Sequence, residues 1–211
     1  MVVAPGAGNR RLFENLGATR VIEGGQTMNP ATEDIIAAVN ATPATEVIVL
    51  PNNRNVILGA EQAVKHSNKP VRIVPTESVQ AGLAAMVAYL PGRAAAENEL
   101  AMRRAQDDLA TGEVTIASRD LTLDGIDVRE GSWLGLAGGA AVASGDSFDA
   151  VAVAVAERLL EGGGESLTLL IGSDEPDVEA IEREIRERHP AVEVEIHEGG
   201  QPHYPLLLSA E

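Results

Sequence analysis

The sequence contains no cysteine among its 211 residues, which excludes disulfide bonds, thiol nucleophiles and thiolate metal ligands. Aromatic residues make up 2% of the chain and hydrophobic residues 45%, so a core must be built from alanine, valine, leucine and isoleucine. No apolar run approaches the roughly 18–20 residues that a membrane span needs. The first eight residues lack the charged and apolar regions of a signal peptide. We therefore expect a cytoplasmic protein without a membrane span.

Basic residues are scarce: 16 lysines and arginines stand against 32 aspartates and glutamates, a formal net charge of −16. Because nucleic-acid surfaces usually carry a basic patch, this balance argues against nucleic acid as a partner. Residues 1–105 have a net charge of +1 and residues 106–211 a net charge of −17, which favours two sub-structures with different surroundings. If the acidic half is a docking face, its partner should carry a basic patch, and association should slow as salt rises.

The first ninety residues alternate between short β-branched runs and helical patterns. Apolar runs of about four to six residues between helices are typical of βαβ units around a buried parallel sheet. The pattern therefore predicts a first α/β subdomain over residues 1–92. Its predicted strands are 2–4, 19–22, 46–50 and 71–74, and its predicted helices are 10–16, 31–40, 55–66 and 78–90.

Residues 93–211 predict a second, acidic α+β subdomain. A helix is expected first, followed by short strands joined by glycine and aspartate turns, which is typical of an antiparallel segment. The fold class expected is α/β in two parts, with a mostly parallel sheet in the first half and a mixed sheet in the second. The predicted helices are 98–109, 147–160 and 178–189, and the predicted strands are 113–118, 122–128, 133–137, 167–171 and 192–197.

One short string occurs near both ends of the chain. Glu23-Gly-Gly-Gln26 and Glu198-Gly-Gly-Gln201 each follow the second strand of a predicted strand–helix–strand unit. The chain is therefore interpreted as containing two related βαβ pieces. The alternative is a chance match in which the paired glycines only permit a tight turn.

Polar side chains gather where the strands of the first half end. In open α/β sheets, ligands bind outside the carboxyl ends of the strands, and amides and hydroxyls suit a polar ligand or the backbone of a partner. The same side chains are also candidate N-caps, above all Asn29 before Pro30, and the two roles are compatible. The candidate binding residues are Gln26, Thr27, Asn29, Asn52, Asn53 and Thr76, joined from the second part by Arg119, Gln201 and Tyr204.

Other chemistries have weaker support in the sequence, and no catalytic residue or metal ligand is assigned. His197 and His203 lie near carboxylates, but at no spacing that metal sites use. Residues 2–8 begin like a dinucleotide fingerprint, yet Arg11 stands where its third glycine belongs. Gly-Gly-Gln also occurs in peptide release factors, which work on RNA through basic surfaces. Here one copy of the string lies in a nearly neutral half and the other in an acidic half, which argues against that function. Arg119 beside Asp120 is either a charged element of a site or an exposed ion pair.

Three strings carry a family resemblance: Glu-Gly-Gly-Gln-Thr-Met-Asn-Pro at 23–30, Leu-Pro-Asn-Asn-Arg-Asn at 50–55, and Gly-Gly-Gln-Pro-His-Tyr-Pro at 199–205. They resemble the C-terminal region of dihydroxyacetone-kinase-like proteins that serve as the ATP-binding component of bacterial fatty acid kinase. The resemblance covers the chain from Val2 to Glu211. It implies a fold similar to DegV proteins, in two α/β parts.

The resemblance also implies a function. Such kinases phosphorylate a fatty acid held by a DegV-type carrier protein, and their C-terminal region engages that carrier. The family holds ATP and magnesium on an N-terminal domain through an aspartate cluster that has no match here. The implied chain is therefore a non-catalytic domain without a cofactor, whose partners are the carrier and other domains of its own full-length protein. The alternatives are a stand-alone binder or enzyme for a triose or phosphorylated ligand, and a dimerisation module.

Overall fold

The computed structural model describes residues 1–24 and 29–211. The chain divides into two compact units, Met1–Asp108 and Leu109–Glu211. The sequence pattern predicted this boundary after residue 92, whereas the structure adds the next helix to the first unit. Within the described ranges, no helix is both long and apolar enough to cross a bilayer.

The first unit is a parallel sheet with helices between its strands. Its strands are β1 (Val2–Val3), β2 (Val21–Ile22), β3 (Val47–Val49) and β4 (Val71–Ile73), and its helices are α1 (Ala7–Asn15), α2 (Thr32–Ala41), α3 (Arg54–Val64), α4 (Val79–Val87) and α5 (Ala95–Arg104). β1 pairs with β2 and β3 pairs with β4, both in parallel. A parallel bridge between Val2 and Leu50 joins the two pairs, so the strand order is β2-β1-β3-β4.

The strand order reverses between β1 and β3. The chain leaves β1 toward β2 on one side and later places β3 on the other side of β1. The backbone N–H of Val3 donates to Leu50 at 3.0 Å, and that of Leu50 donates to Met1 at 3.0 Å. In open α/β sheets the carboxyl-end loops diverge at such a reversal and leave a crevice. The loops that follow β1 and β3 therefore flank the place where a ligand or partner is expected.

The core of the first unit is built from small and β-branched side chains, as the low aromatic content requires. Ile35 and Val39 of α2 pack with Val47 and Val49 of β3, and Val56 of α3 joins the same cluster. α5 contacts β3, β4 and α4, which explains why it belongs to this unit rather than to the next.

The second unit is a mixed six-stranded sheet with a separate hairpin. Its strands are β5 (Ala110–Ile116), β6 (Leu121–Leu123), β7 (Ile126–Val128), β8 (Trp133–Ala137), β9 (Ala140–Gly145), β10 (Ser166–Ile171), β11 (Glu193–Glu198) and β12 (Leu206–Ala210), and its helices are α6 (Phe148–Leu160) and α7 (Glu179–Arg188). The order in the sheet is β11-β10-β12-β5-β8-β9. β10 and β11 are parallel, and the remaining pairs are antiparallel.

Alternate residues of the central strands face the helices of this unit. Leu167 and Leu169 of β10 and Leu206 and Leu208 of β12 belong to the cluster that α6 and α7 cover. β9 and β12 were not among the strands predicted from the sequence, although β12 joins β10 to β5. The strand predicted over 122–128 is instead the antiparallel hairpin of β6 and β7, because Asp124 and Gly125 form a turn with positive φ. The α/β class with a parallel first sheet and a mixed second sheet is confirmed.

Candidate functional site

The loops after β3 and β4 are held together by a buried pair of side chains. The Thr76 hydroxyl donates to Asn52 Oδ1 at 2.6 Å and accepts from the Asn52 backbone N–H at 3.0 Å. Asn52 is 5% exposed and Thr76 is 0% exposed. Hydrogen bonds in such a buried place are costly to break, because a lost partner leaves a desolvated polar group. Thr76 and Asn52 therefore fix the two loops relative to each other.

Asn52 also ties its loop to the end of β1. Its Nδ2 donates to the carbonyl oxygen of Val3 at 3.0 Å, across the reversal between β1 and β3. The Asn52 backbone has a φ of 54°, a left-handed conformation that asparagine tolerates better than most residues. One asparagine thus joins the ends of β1 and β3 and, through Thr76, the loop after β4.

Helix α4 comes close to this pair because Gly82 has no side chain. A Cβ built on Gly82 would lie 2.1 Å from Asn52 Oδ1 and 2.6 Å from Asn52 Nδ2, distances at which atoms overlap. The close approach of α4 helps to bury the Asn52 side chain. The residue type at position 82 is therefore part of the site architecture.

The predicted capping roles are only partly confirmed. Asn53 caps α3, since its Oδ1 accepts from the Asn55 backbone N–H at 2.8 Å. Asn29 does not cap α2: the N-cap is Ala31. Thr76 does not cap α4 either, because Ser78 takes that position and accepts from Ala81 at 3.1 Å. Since Ser78 caps the helix, the Thr76 hydroxyl binds Asn52 instead.

The outward-facing surface of this edge is different from the predicted set. Asn52, Asn53 and Thr76 are buried and support the loops from within. The exposed side chains here include Asn29, Arg54 and Glu77. The last two were not predicted from the sequence, although Arg54 stands inside the Asn-Asn-Arg-Asn string and Glu77 follows Thr76 directly.

Arg54 and Glu77 bridge the outer side of the two loops. Arg54 Nε donates to Glu77 Oε2 at 3.2 Å, and this hydrogen bond to the carboxylate raises the pKa of Arg54. Both side chains are more than half exposed, so the pair is worth little to stability. It presents a donor-rich guanidinium and a carboxylate to the solvent side of the loops.

Two predicted residues, Gln26 and Thr27, lie outside the described residues. Arg119, Gln201 and Tyr204 belong to the second unit. Arg119 is exposed, and among the described residues the ion pairs do not include it. Gln201 is 1% exposed, and its Nε2 donates to the carbonyl oxygens of Leu170 at 2.9 Å and Tyr204 at 3.2 Å. These bonds fold the Gln201 amide inward, so the side chain supports the fold at this place.

The glutamate of the repeated string comes at the end of the second strand of a parallel pair in each unit, and Gly25 and Gln26 of the first copy lie outside the described residues. β1 and β2 are parallel, and so are β10 and β11. Glu23 follows β2 directly, Glu198 ends β11, and a glycine pair follows each glutamate. In the second copy, the backbone N–H groups of Gly199 and Gly200 both donate to Ile171 at 2.9 Å. This copy forms the turn that carries Gln201 into the protein, which is a structural role.

In this part of the second unit, Tyr204 and Glu113 have raised pKa values. Burial, and then the nearby charge of Glu113, raise the pKa of Tyr204 to about 12. Burial also raises the pKa of Glu113. Tyr204 therefore stays protonated at neutral pH, which does not suit a nucleophile or a general base.

The carboxyl edge of the first unit offers a hydrogen-bonding surface. The name carboxyl edge refers to Asn29, Arg54, Glu77 and the loops that carry them. In the described part of the chain, no three His, Asp or Glu side chains are grouped as a metal ion requires. His197 Nε2 lies 3.4 Å from Glu195 Oε2, as an isolated pair on β11. The edge suits recognition of polar groups on a partner.

Comparison with protein families places the whole chain. The FakA-like family model, which describes a C-terminal region of fatty acid kinase, matches residues 1–211. Protein YloV of Bacillus subtilis (strain 168) is 37% identical over 213 residues, which cover 100% of this chain and 38% of that protein. Uncharacterized protein SH1689 of Staphylococcus haemolyticus is 36% identical over 217 residues, with 100% and 39% covered. The chain thus spans less than two-fifths of the length of these relatives.

Solved structures with a similar fold include DegV family proteins. Cg2579 of Corynebacterium glutamicum superposes with a TM-score of 0.69 at 12% identity, over 99% of this chain and 95% of that one. The Streptococcus pneumoniae fatty acid kinase B3 protein, solved with linoleic acid, gives a TM-score of 0.64 at 13% identity, over 86% and 76%. At these identities the likeness establishes the fold, which is DegV-like as the resemblance implied.

Proposed function

The chain belongs to the FakA-like C-terminal family of fatty acid kinase, and on that basis we propose that it docks a DegV-type protein that carries a fatty acid. Another domain of the full-length protein then binds ATP and magnesium and transfers the phosphoryl group to the acyl carboxylate. This chain supplies no catalytic group and is inactive by itself. Its partners are the carrier and the other domains of its own protein, in the cytoplasm.

The observation that supports a docking role is the way the carboxyl edge is built. Asn52 joins the ends of β1 and β3, and Thr76 joins this pair to the loop after β4. Three loops are thereby fixed before any partner arrives. A preorganised surface loses less conformational entropy on binding than a mobile one. The exposed Arg54 and Glu77, which follow β3 and β4, are then available for directional hydrogen bonds, and the exposed Asn29 follows β2 in the same unit.

Charge distinguishes this edge from the rest of the chain. The first unit contains 10 basic and 11 acidic side chains, and the second contains 6 and 21. Docking at the carboxyl edge of the first unit therefore uses a nearly neutral surface. The affinity should change little between about 50 and 300 mM salt, whereas docking on the acidic unit would weaken over the same range.

The test is a calorimetric titration of the chain with the DegV-type carrier of the same organism, loaded with fatty acid. We expect the double variant Asn29→Ala, Arg54→Ala to bind roughly tenfold more weakly, which corresponds to about 1.4 kcal/mol. Lys65→Ala is the matched control, since Lys65 is exposed beyond the opposite end of α3. Equal affinities for all three proteins would exclude this edge, and no binding by the unaltered chain would overturn the docking proposal.

A competition assay tests whether this chain binds the carrier while another domain of the kinase carries out catalysis. An excess of this chain should inhibit acyl-phosphate formation by the full-length protein, because both compete for the carrier. The double variant should inhibit less at the same concentration. Acyl-phosphate formation by this chain, the carrier and ATP alone would contradict a non-catalytic role.

A further inference from the structure

Helix α4 exposes apolar side chains to solvent. Its nine residues, Val79–Val87, include one polar side chain, Gln80, which is buried. Leu83 is half-buried, and Val87 is 71% exposed. A helix on the surface of a globular protein carries polar or charged residues on its outer face, whereas a helix that is apolar on every face is typical of the interior of a larger protein. The composition of α4 therefore indicates that its outer face is covered in the native protein.

The apolar surface continues beyond the end of α4. The backbone N–H of Tyr89 donates to the carbonyl oxygen of Met86 at 3.1 Å, so the helical turn continues and keeps Leu90 close to Val87. Leu90 is 50% exposed. Residues three and four positions apart on a helical turn lie on the same side. Leu83, Val87 and Leu90 therefore form a short apolar stripe, which we call the α4 face.

The turn that carries Leu90 is held in place by a buried asparagine of α5. Asn98 is 1% exposed. Its Oδ1 accepts from the Leu90 backbone N–H at 3.0 Å, and its Nδ2 donates to the carbonyl oxygens of Leu90 at 3.0 Å and Arg93 at 3.2 Å. These bonds fix the backbone of an exposed leucine, and a surface that is fixed beforehand loses less conformational entropy on contact. The α4 face is thus preorganised for an apolar partner.

The size of the α4 face indicates what kind of partner covers it. Stable interfaces between separate proteins use about 20–30 residues on each side, far more than a stripe of three. A contact within one chain needs less area, because the connecting segment holds the two surfaces at an effective concentration of about millimolar. Relatives such as YloV have such additional chain, since this sequence covers 38% of the length of that protein. The rest of the full-length protein is therefore the occupant that fits the α4 face.

We propose that the α4 face is an intramolecular interface, covered in the full-length protein by an apolar segment of another domain of the same chain. That segment presents aliphatic side chains, because the side chains of Leu83, Val87 and Leu90 offer no hydrogen bonds. The proposal rests on the proposed function only in treating the chain as part of a longer kinase. It does not depend on docking of the carrier, which uses other residues.

Cysteine reactivity tests the proposal, because these 211 residues contain no cysteine. Val87→Cys is compared with Leu58→Cys, a matched control at a residue that is 65% exposed on α3. Both substitutions are made in the isolated chain and in the full-length protein without carrier, and alkylation of the new cysteine by iodoacetamide is followed by mass spectrometry. The two cysteines should react at similar rates in the isolated chain. In the full-length protein, Val87→Cys should react at least about tenfold more slowly, the ratio expected when the covered state is favoured tenfold, and Leu58→Cys should react as before.

Three results of this experiment would overturn the proposal. The first is an equal rate for Val87→Cys in the isolated chain and in the full-length protein. The second is protection that disappears when the full-length protein is diluted, which would identify a second copy as the occupant. The third is protection that develops only after carrier is added, which would assign the α4 face to the carrier. Because the base measurement contains no carrier, a failure of the docking proposal leaves its outcome unaffected.

A charge placed on the α4 face tests the contact by a second route. Val87→Glu should leave urea unfolding of the isolated chain nearly unchanged, because position 87 is exposed there. In the full-length protein, Val87→Glu should speed tryptic cleavage between this region and the remaining chain at least about tenfold, because a carboxylate buried without a partner disfavours the covered state. Leu58→Glu is the control and should leave cleavage unchanged. Cleavage of Val87→Glu at the rate of the unaltered full-length protein would argue decisively against the interface.

Discussion

Thr76 and Asn52 hold each other by two hydrogen bonds, one from the Thr76 hydroxyl to Asn52 Oδ1 and one from the Asn52 backbone N–H to Thr76 Oγ1. The threonine oxygen is donor and acceptor in the same pair, so no apolar side chain of similar shape can replace it. The loops after β3 and β4 depend on this pair for their relative position.

Thr76→Val removes both bonds while keeping the shape of the side chain. The Asn52 N–H and Oδ1 lose partners in a buried place, and we expect the free energy of unfolding to fall by about 1–3 kcal/mol. Urea unfolding followed by circular dichroism measures it. Thr45→Val, an exposed threonine of the same unit, should change stability by less than about 0.5 kcal/mol. A similar loss of unfolding free energy in both variants would contradict a specific stabilising role for the Thr76–Asn52 hydrogen bonds.

Gly82→Ala tests the close approach of α4 to Asn52. The added methyl would lie 2.1 Å from Asn52 Oδ1, and we expect a loss of about 1–3 kcal/mol from overpacking. Gly59→Ala is the matched helical control, because its nearest neighbour is Thr32 Oγ1 at 4.0 Å. There, alanine should stabilise the protein by about 0.5–1 kcal/mol. In the same unfolding assay, the free energy of unfolding should fall for Gly82→Ala and rise for Gly59→Ala. A change in the same direction for both variants would contradict this prediction.

Glu113 should make the second unit less stable as the pH rises. Burial raises the pKa of its carboxyl group in the folded state, so the protonated form favours folding. This contribution is present in full below the unfolded pKa and is lost as the pH rises through the folded pKa. The fluorescence of Trp133, the single tryptophan, follows unfolding of this unit. Glu113→Gln should flatten that pH dependence, and Glu193→Gln, an exposed glutamate of the same sheet, should leave it unchanged.

Gln201→Ala separates a structural role from a docking role. The substitution leaves the carbonyl oxygens of Leu170 and Tyr204 without its amide donor, and we expect a loss of about 1–3 kcal/mol in the Trp133 unfolding transition. Glu198→Ala, an exposed neighbour before the same glycine pair, should have little effect. The affinity of the folded Gln201→Ala protein for the carrier should be unchanged. A loss of affinity without a loss of stability would show that Gln201 takes part in docking.

Local sequence patterns predict the first unit well because its elements are short, regular and sequential. β-branched runs mark β1 to β4, and the general rule for open sheets brings their loops to one edge. The roles within that edge are not local. Thr76 and Ser78 have similar capping chemistry, and the bond between Thr76 and Asn52, which comes from another loop, is a contact that no local pattern reveals.

The second unit contains two strands that the sequence pattern did not predict, β9 and β12. β12 is an apolar run that local pattern does not separate from a buried coil, and its partner β5 lies far away along the chain. Gln201 sits in a repeated string whose glycine pair is typical of a surface turn. Its burial depends on contacts with Leu170 and Tyr204, which no local pattern reveals.

Hydrogen–deuterium exchange of this chain with and without the fatty-acid-loaded carrier tests the docking proposal most directly. We predict added protection in peptides that cover residues 51–55 and 74–78, and unchanged exchange in peptides of α7 and β11. Protection confined to α7 and β11, or no change anywhere at carrier concentrations that saturate the full-length kinase, would contradict it.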